Sequence, residues 1–239
     1  MRRVGIALLF GLFVAGAIAL LIARPWAGTS STPSKHAALL DEPVPWKADH
    51  LQKVAEALKG QCDELPRLGQ PAFQRLLSSE NLRALAFVPS NLGALLDYGD
   101  ALKSVMKTYL ECAHYPESHL VVAVLYEWYA ELNPVLAEFM KTIPTTDPSY
   151  QTRKEGQQKV YLGLRGMLVG QVITMTSQGD PKLLRPAVVR LGRAIRALRK
   201  TTPEEFTKPA LVRLKESAVE HRVPAMRDVL GDLVSEIER

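Results

Sequence analysis

LGALLDYGDALKSVMKTYL, residues 92–110, decides the fold class. Leu92, Leu95, Leu96, Leu102, Val105, Met106, Tyr109 and Leu110 recur at three- and four-residue steps, which lines them along one side of a helix. Asp97, Asp100, Lys103 and Lys107 fall away from the centre of that stripe, as a helix packed against a core requires. The same period runs outward in both directions. Upstream, Leu51, Val54, Ala55 and Leu58 fit one helix face, and Gly60 is placed to stop it. Downstream, a helix is expected from about Glu117 to Lys141, kinked or broken at Pro134. Pro148 then opens a long helix to about Gln178. Pro181 starts another, ending near Lys200, Pro203 starts the next, and the last runs from about Pro224 to Glu238. No segment alternates strictly around an Asn-Gly or Asp-Gly turn, so no strands are expected. No repeat near 34 or 40 residues appears, which argues against a regular solenoid. The expectation is an all-α protein, an irregular multi-helix bundle over residues 47–239.

The N-terminus is of a different kind. Val4 to Ala23 is an uncharged run rich in Leu, Ile, Val, Phe and Ala. At about 1.5 Å per residue such a helix spans roughly 30 Å, the thickness of a bilayer's hydrocarbon core. Arg2, Arg3 and the small residues Ala17 and Ala19 also suit a cleaved secretory signal. Leu20, Leu21 and Ile22 carry the run past that site, however, and the run exceeds the usual ~7–15 apolar residues of a signal peptide. The expectation is an uncleaved signal-anchor, a single-pass transmembrane helix. Arg2 and Arg3 against Arg24 favour the N-terminus inside and the bulk outside. None of Asn81, Asn91 and Asn133 opens an N-x-S/T acceptor, which leans towards a bacterium. The organisation that follows is a short cytoplasmic end (1–3), an anchor (4–23), a flexible Pro/Ser/Thr linker (24–46) and a periplasmic helical domain (47–239). Pro25, Pro33, Pro43 and Pro45 and the polar tract Gly28–Ser34 mark the linker.

This topology changes the reading of charge and cysteine. The formal charge of +5 resembles a nucleic-acid footprint. Arg2, Arg3 and Arg24 flank the anchor and no acid precedes residue 25. The exported part therefore keeps 27 of the 30 basic residues against all 25 acidic ones, a net of +2. So weak a bulk field removes the main support for DNA or RNA binding. Cys62 and Cys112 would lie in an oxidising compartment, where an even count makes a disulfide the default.

Five features could carry function. In the expected helix Lys182–Lys200, the residues Lys182, Arg185, Arg193, Arg196 and Lys200 fall within about 80° of one another. They lie opposite Leu183, Ala187, Leu191, Ala194 and Leu198, and no acid interrupts the helix. This is a surface for anionic headgroups, an acidic glycopolymer or an acidic partner, or else a solvated face balanced by the acids that follow. Gly156, Gly163, Gly166 and Gly170 share one expected helix and cost it roughly 3–4 kcal/mol relative to alanine. Close approach of another helix inside the bundle is the expected compensation, with a homo-oligomer contact the lesser option. Glu127, Glu131 and Glu138 stripe an otherwise apolar helix and could supply an acid pair for glycoside cleavage. Cys112-x-His114 with His119 could join Cys62 around zinc, but the spacing matches no common zinc pattern and a metal would compete with the disulfide. Ser104-Val-Met-Lys107 is formally S-x-x-K but lacks the companion motifs of penicillin-recognising enzymes. No cofactor or metal is expected. The leading expectation is a non-enzymatic, membrane-anchored module for an envelope protein or anionic surface. The alternative is an envelope hydrolase working through the carboxylates.

Overall fold

The computed structural model describes residues 37–112, 116–178 and 180–239. Val4–Ala23 and residues 24–36 lie outside them. Every regular element among the described residues is helical. In chain order these are α1 (Ala37–Asp41), α2 (Ala48–Leu58), α3 (Pro71–Leu76), α4 (Ser79–Arg83), α5 (Leu92–Glu111) and α6 (Glu117–Lys141). They are followed by α7 (Tyr150–Gln178), α8 (Pro181–Arg199), α9 (Glu204–Glu220) and α10 (Pro224–Glu238). Short 3₁₀ turns sit at Cys62–Glu64 and Pro89–Asn91.

The centre is α6, which packs against α5 on one side and α8 on the other. Leu120, Val121, Ala123, Leu125, Trp128 and Leu132 are buried along it, which leaves the helix almost no solvent side in its first four turns. By length and composition α6 could cross a membrane, but 67% of its apolar window is covered by neighbouring helices. It is a core helix. Pro134 does not break it. The proline sits at an exposed position between buried Asn133 and Val135, and the packing of those flanks carries the helix through to Lys141.

On the α5 side, α2 and α5 pack together and the disulfide Cys62–Cys112 joins their C-terminal ends, with the Cα atoms 5.2 Å apart. Gly60 takes φ +73° just after α2, a conformation that suits glycine and ends the helix as expected. Tyr109 donates to the Pro66 carbonyl at 2.7 Å, Ser118 to the Tyr109 carbonyl at 3.2 Å, and the Leu68 N–H to Glu117 at 2.8 Å. These bonds tie the 61–70 loop to the α5–α6 junction. Gly99 meets α6 closely: a Cβ there would lie 2.1 Å from the Trp128 ring. That contact seats Trp128 with its indole N–H buried and without a hydrogen-bond partner among the described residues.

The linker boundary moves. Residues 37–46, read from sequence as part of the 24–46 spacer, belong to the packed domain. Leu40 and Trp46 are 4% and 2% exposed, and α1 packs on α2 and α3. Polar bonds hold the segment: the Trp46 N–H donates to Asn81 at 2.6 Å, and Arg75 donates to the Leu40 carbonyl at 2.5 Å and pairs with Asp41. Of the prolines that suggested a spacer, Pro43 and Pro45 lie within this packed segment, Pro45 following a cis bond, and Pro25 and Pro33 lie outside the described residues. On the other side of α6, α8 packs on α10, α10 on α9, and α9 on α7.

Candidate functional site

The basic helix is built as its sequence implies. Asp180 caps α8 by accepting the Lys182 N–H at 2.9 Å, and Pro181 takes the first helical position. Leu184, Ala187, Val188, Leu191, Ala194, Ile195 and Leu198 are buried against α6 and α10. Lys182, Arg185, Arg193 and Lys200 are exposed on the opposite side, with Arg196 half-exposed between them. One residue of the apolar face is corrected. Leu183 is 40% exposed, and Leu184, fully covered, takes its place, because the contact with α6 and α10 is centred a fraction of a turn further round.

This face makes few direct ion pairs among the described residues. Arg185 lies 3.7 Å from Asp232 of α10, with both side chains more than half exposed, a pair worth at most about 1 kcal/mol. No ion pair engages Lys182, Arg193, Arg196 or Lys200 among the described residues. The basic residues that leave the face do other work. Arg199 donates to the Ile237 carbonyl at 3.4 Å. Arg190 turns inward, donating from Nε to Glu127 Oε1 at 2.6 Å and from Nη2 to Glu127 Oε2 at 2.7 Å and the Leu77 carbonyl at 2.7 Å. This bidentate, mostly covered pair locks α8 to α6 and to the end of α3.

That bond corrects the carboxylate reading. Glu127 is a structural partner of Arg190, so its two oxygens are committed and it offers no free acid or base. Glu131 is exposed, and Glu138 is exposed and paired with Lys141 at 3.0 Å. The three acids share one side of α6, but α8 covers only the first. Ser104 donates to the Asp100 carbonyl of its own helix at 3.0 Å and Lys107 lies 3.6 Å from Glu111, so nothing joins the two into a catalytic pair. His119 is completely buried, and burial pushes its imidazole down to about 4. Both cysteines are taken by the disulfide, and His114 lies outside the described residues. No group of three or more His, Cys, Asp or Glu is placed to hold a metal among the described residues.

The glycine reading is also corrected. A Cβ at Gly156, Gly163, Gly166 or Gly170 would meet nothing within 4 Å, so among the described residues no neighbour packs closely against that side of the helix. The physical reason lies in how α7 docks. Tyr161 and Leu164 are its buried anchors, with the Tyr161 hydroxyl donating to Asn133 at 2.8 Å and the Tyr126 hydroxyl to the Leu164 carbonyl at 2.7 Å. These contacts lie on the side away from the glycines. The glycines that do admit a neighbour are Gly99 and Gly192. A Cβ at Gly192 would lie 2.5 Å from Cβ of Glu236 on α10. Each stands inside an apolar stripe rather than in a run of small residues, and that is the signal that could have found them.

Two cavities accompany these contacts. One, of about 20 Å³, is lined by Tyr126, Tyr161, Leu164 and Phe206 and has room for about one water. The other, of about 240 Å³, opens beside Glu42, Trp46, His50 and Lys53. Neither is lined by the five basic residues of α8. No family model, curated protein or solved structure matches the chain. The surface must therefore be read on its own chemistry. It is a convex line of five cations along about 27 Å of helix, which can attract a negatively charged surface and offers no enclosed volume for a small substrate.

Proposed function

We propose that this chain is a membrane-anchored, non-enzymatic helical module of the bacterial envelope. Val4–Ala23 holds it in the inner membrane, and residues 37–239 form a periplasmic domain that binds an anionic surface. The observation that carries this reading is the exposed face of α8, a helix with no acid of its own, with Lys182, Arg185, Arg193, Arg196 and Lys200 on one side and the other side spent in the core. The disulfide between Cys62 and Cys112 supports an oxidising compartment. The hydrolase reading loses support because Arg190 occupies its best-placed carboxylate.

A polyanion column tests the surface. The full chain in neutral detergent should be retained on immobilised heparin at about 0.1 M salt and released as ionic strength rises. The variant with Arg185, Arg193 and Arg196 all changed to Gln should pass through. It should keep its helical circular dichroism and its disulfide, because none of the three side chains is buried. Equal retention of both proteins would remove this face from consideration.

A further inference from the structure

Resting on the proposal that α8 presents an anion-binding face, we infer that this face docks on the anionic phospholipid headgroups of the bilayer that holds the chain's own N-terminal run. Three observations lead there. The first is where the chain enters the domain. Arg75 of α3 bonds the Leu40 carbonyl and Asp41 of α1, and two residues on, the Leu77 carbonyl accepts from Arg190 of α8. The first described helix and α8 are thus both bonded to α3, two residues apart, although the α8 bond comes from the inward-turned Arg190 and not from the basic face. The second is the length of chain between them and the apolar run. Residues 24–36 can reach at most about 45 Å when fully extended, about the width of a domain of this size, whose radius of gyration is about 17 Å. A domain so held keeps the α8 side within reach of the headgroups at high local concentration.

The third observation is the shape and composition of the face. Five cations confined to about 80° of one convex helix can all touch a plane together, whereas a folded acidic partner would need a matching concavity. Asp232 and the capping Asp180 contact it, and each is occupied, by Arg185 and by the Lys182 N–H. The apolar side of α8 is buried in protein, so the helix cannot insert into the bilayer as a free amphipathic helix does. The contact is electrostatic alone. It should therefore fade as the screening length shortens from about 10 Å at 0.1 M salt to about 3 Å at 1 M.

The test uses the full chain reconstituted in vesicles, labelled through Ala197→Cys, an exposed position on α8. Energy transfer to a headgroup-labelled acceptor lipid is read in phosphatidylcholine vesicles and in vesicles with 30% phosphatidylglycerol. Docking predicts high transfer in the anionic vesicles only, lost at 1 M salt. Changing Arg185, Arg193 and Arg196 to Gln should lower the docking equilibrium on the order of 100-fold, at roughly fivefold for each cation near the surface. Changing the same three to Lys should leave docking nearly intact, since charge and not guanidinium geometry is required. Transfer that is equal in both vesicle types, or lost in the Lys variant, overturns bilayer docking. If heparin retention still depends on the three arginines in that case, the anion-binding face stands and an acidic protein or glycopolymer becomes its partner. If that dependence is absent too, both readings fail.

Discussion

Helices α7 and α8 follow each other in the chain and meet the bundle in opposite ways. Along α8, one apolar side is buried end to end, Gly192 lets α10 approach closely, and Arg190 bonds two other elements. In α7 the described burial is concentrated at Tyr161 and Leu164, and its glycines face no neighbour within 4 Å of a Cβ. Both helices looked packed from sequence, one through its apolar stripe and one through its small residues. The stripe was the reliable sign, because burying apolar area is itself favourable. Small residues only permit an approach that something else must drive.

The comparison can be broken in three ways, taken from the largest effect to the smallest. The largest concerns the core helix α6, on which α8 packs. His119 is held neutral by burial, and its imidazole falls from near 6.5 in the unfolded chain to about 4 in the fold. The unfolded chain then takes up a proton that the fold refuses. The stability involved is fully present above pH 6.5, falls as pH drops, and levels off below about pH 4, a loss of about 3 kcal/mol in all. Urea unfolding at pH 7 and pH 4.5 should show this slope, and His119→Phe should remove its share of it. An unchanged slope in the variant would show that His119 is protonated without cost.

Next come the glycines that touch a neighbour. Gly99→Ala would force the rigid Trp128 ring to move and should cost about 2–3 kcal/mol; Gly192→Ala against Glu236 should cost about 2. The smallest effect has the opposite sign. Gly163→Ala in α7 should stabilise by about 1 kcal/mol, since it gains helix propensity and meets nothing. Chemical denaturation measures all three on one scale. If Gly163→Ala destabilised the protein, and did so more at high concentration, a second copy would be packing on the α7 glycines.

Much of the fold could be read from the chain because its helices are amphipathic and punctuated by proline and glycine. The stripe at 92–110 became α5, and Pro181 and Pro224 open α8 and α10 as their fixed φ suggests. The boundary at 46 was missed because prolines suggested a spacer, while the burial of Leu40 and Trp46 depends on Asn81 and Arg75, thirty-five residues away. At the site, the basic face followed from angle alone, since exposure on a helix is a local property. The fate of Glu127 did not. Its partner Arg190 lies sixty-three residues on, and no local pattern marks an arginine that will turn inward.

Arg190 has one more consequence. Its guanidinium leaves water only when acceptors from two other elements are both in place, the carboxylate on α6 and the carbonyl at the end of α3. With either missing, a partly buried positive charge would stand without sufficient compensation. The arginine thus acts as a coincidence check on assembly, which makes α3, α6 and α8 open and close as one cooperative block. Among the described residues no ion pair of this kind joins α7, which is held to α6 through the Tyr161 hydroxyl and the Leu164 carbonyl instead.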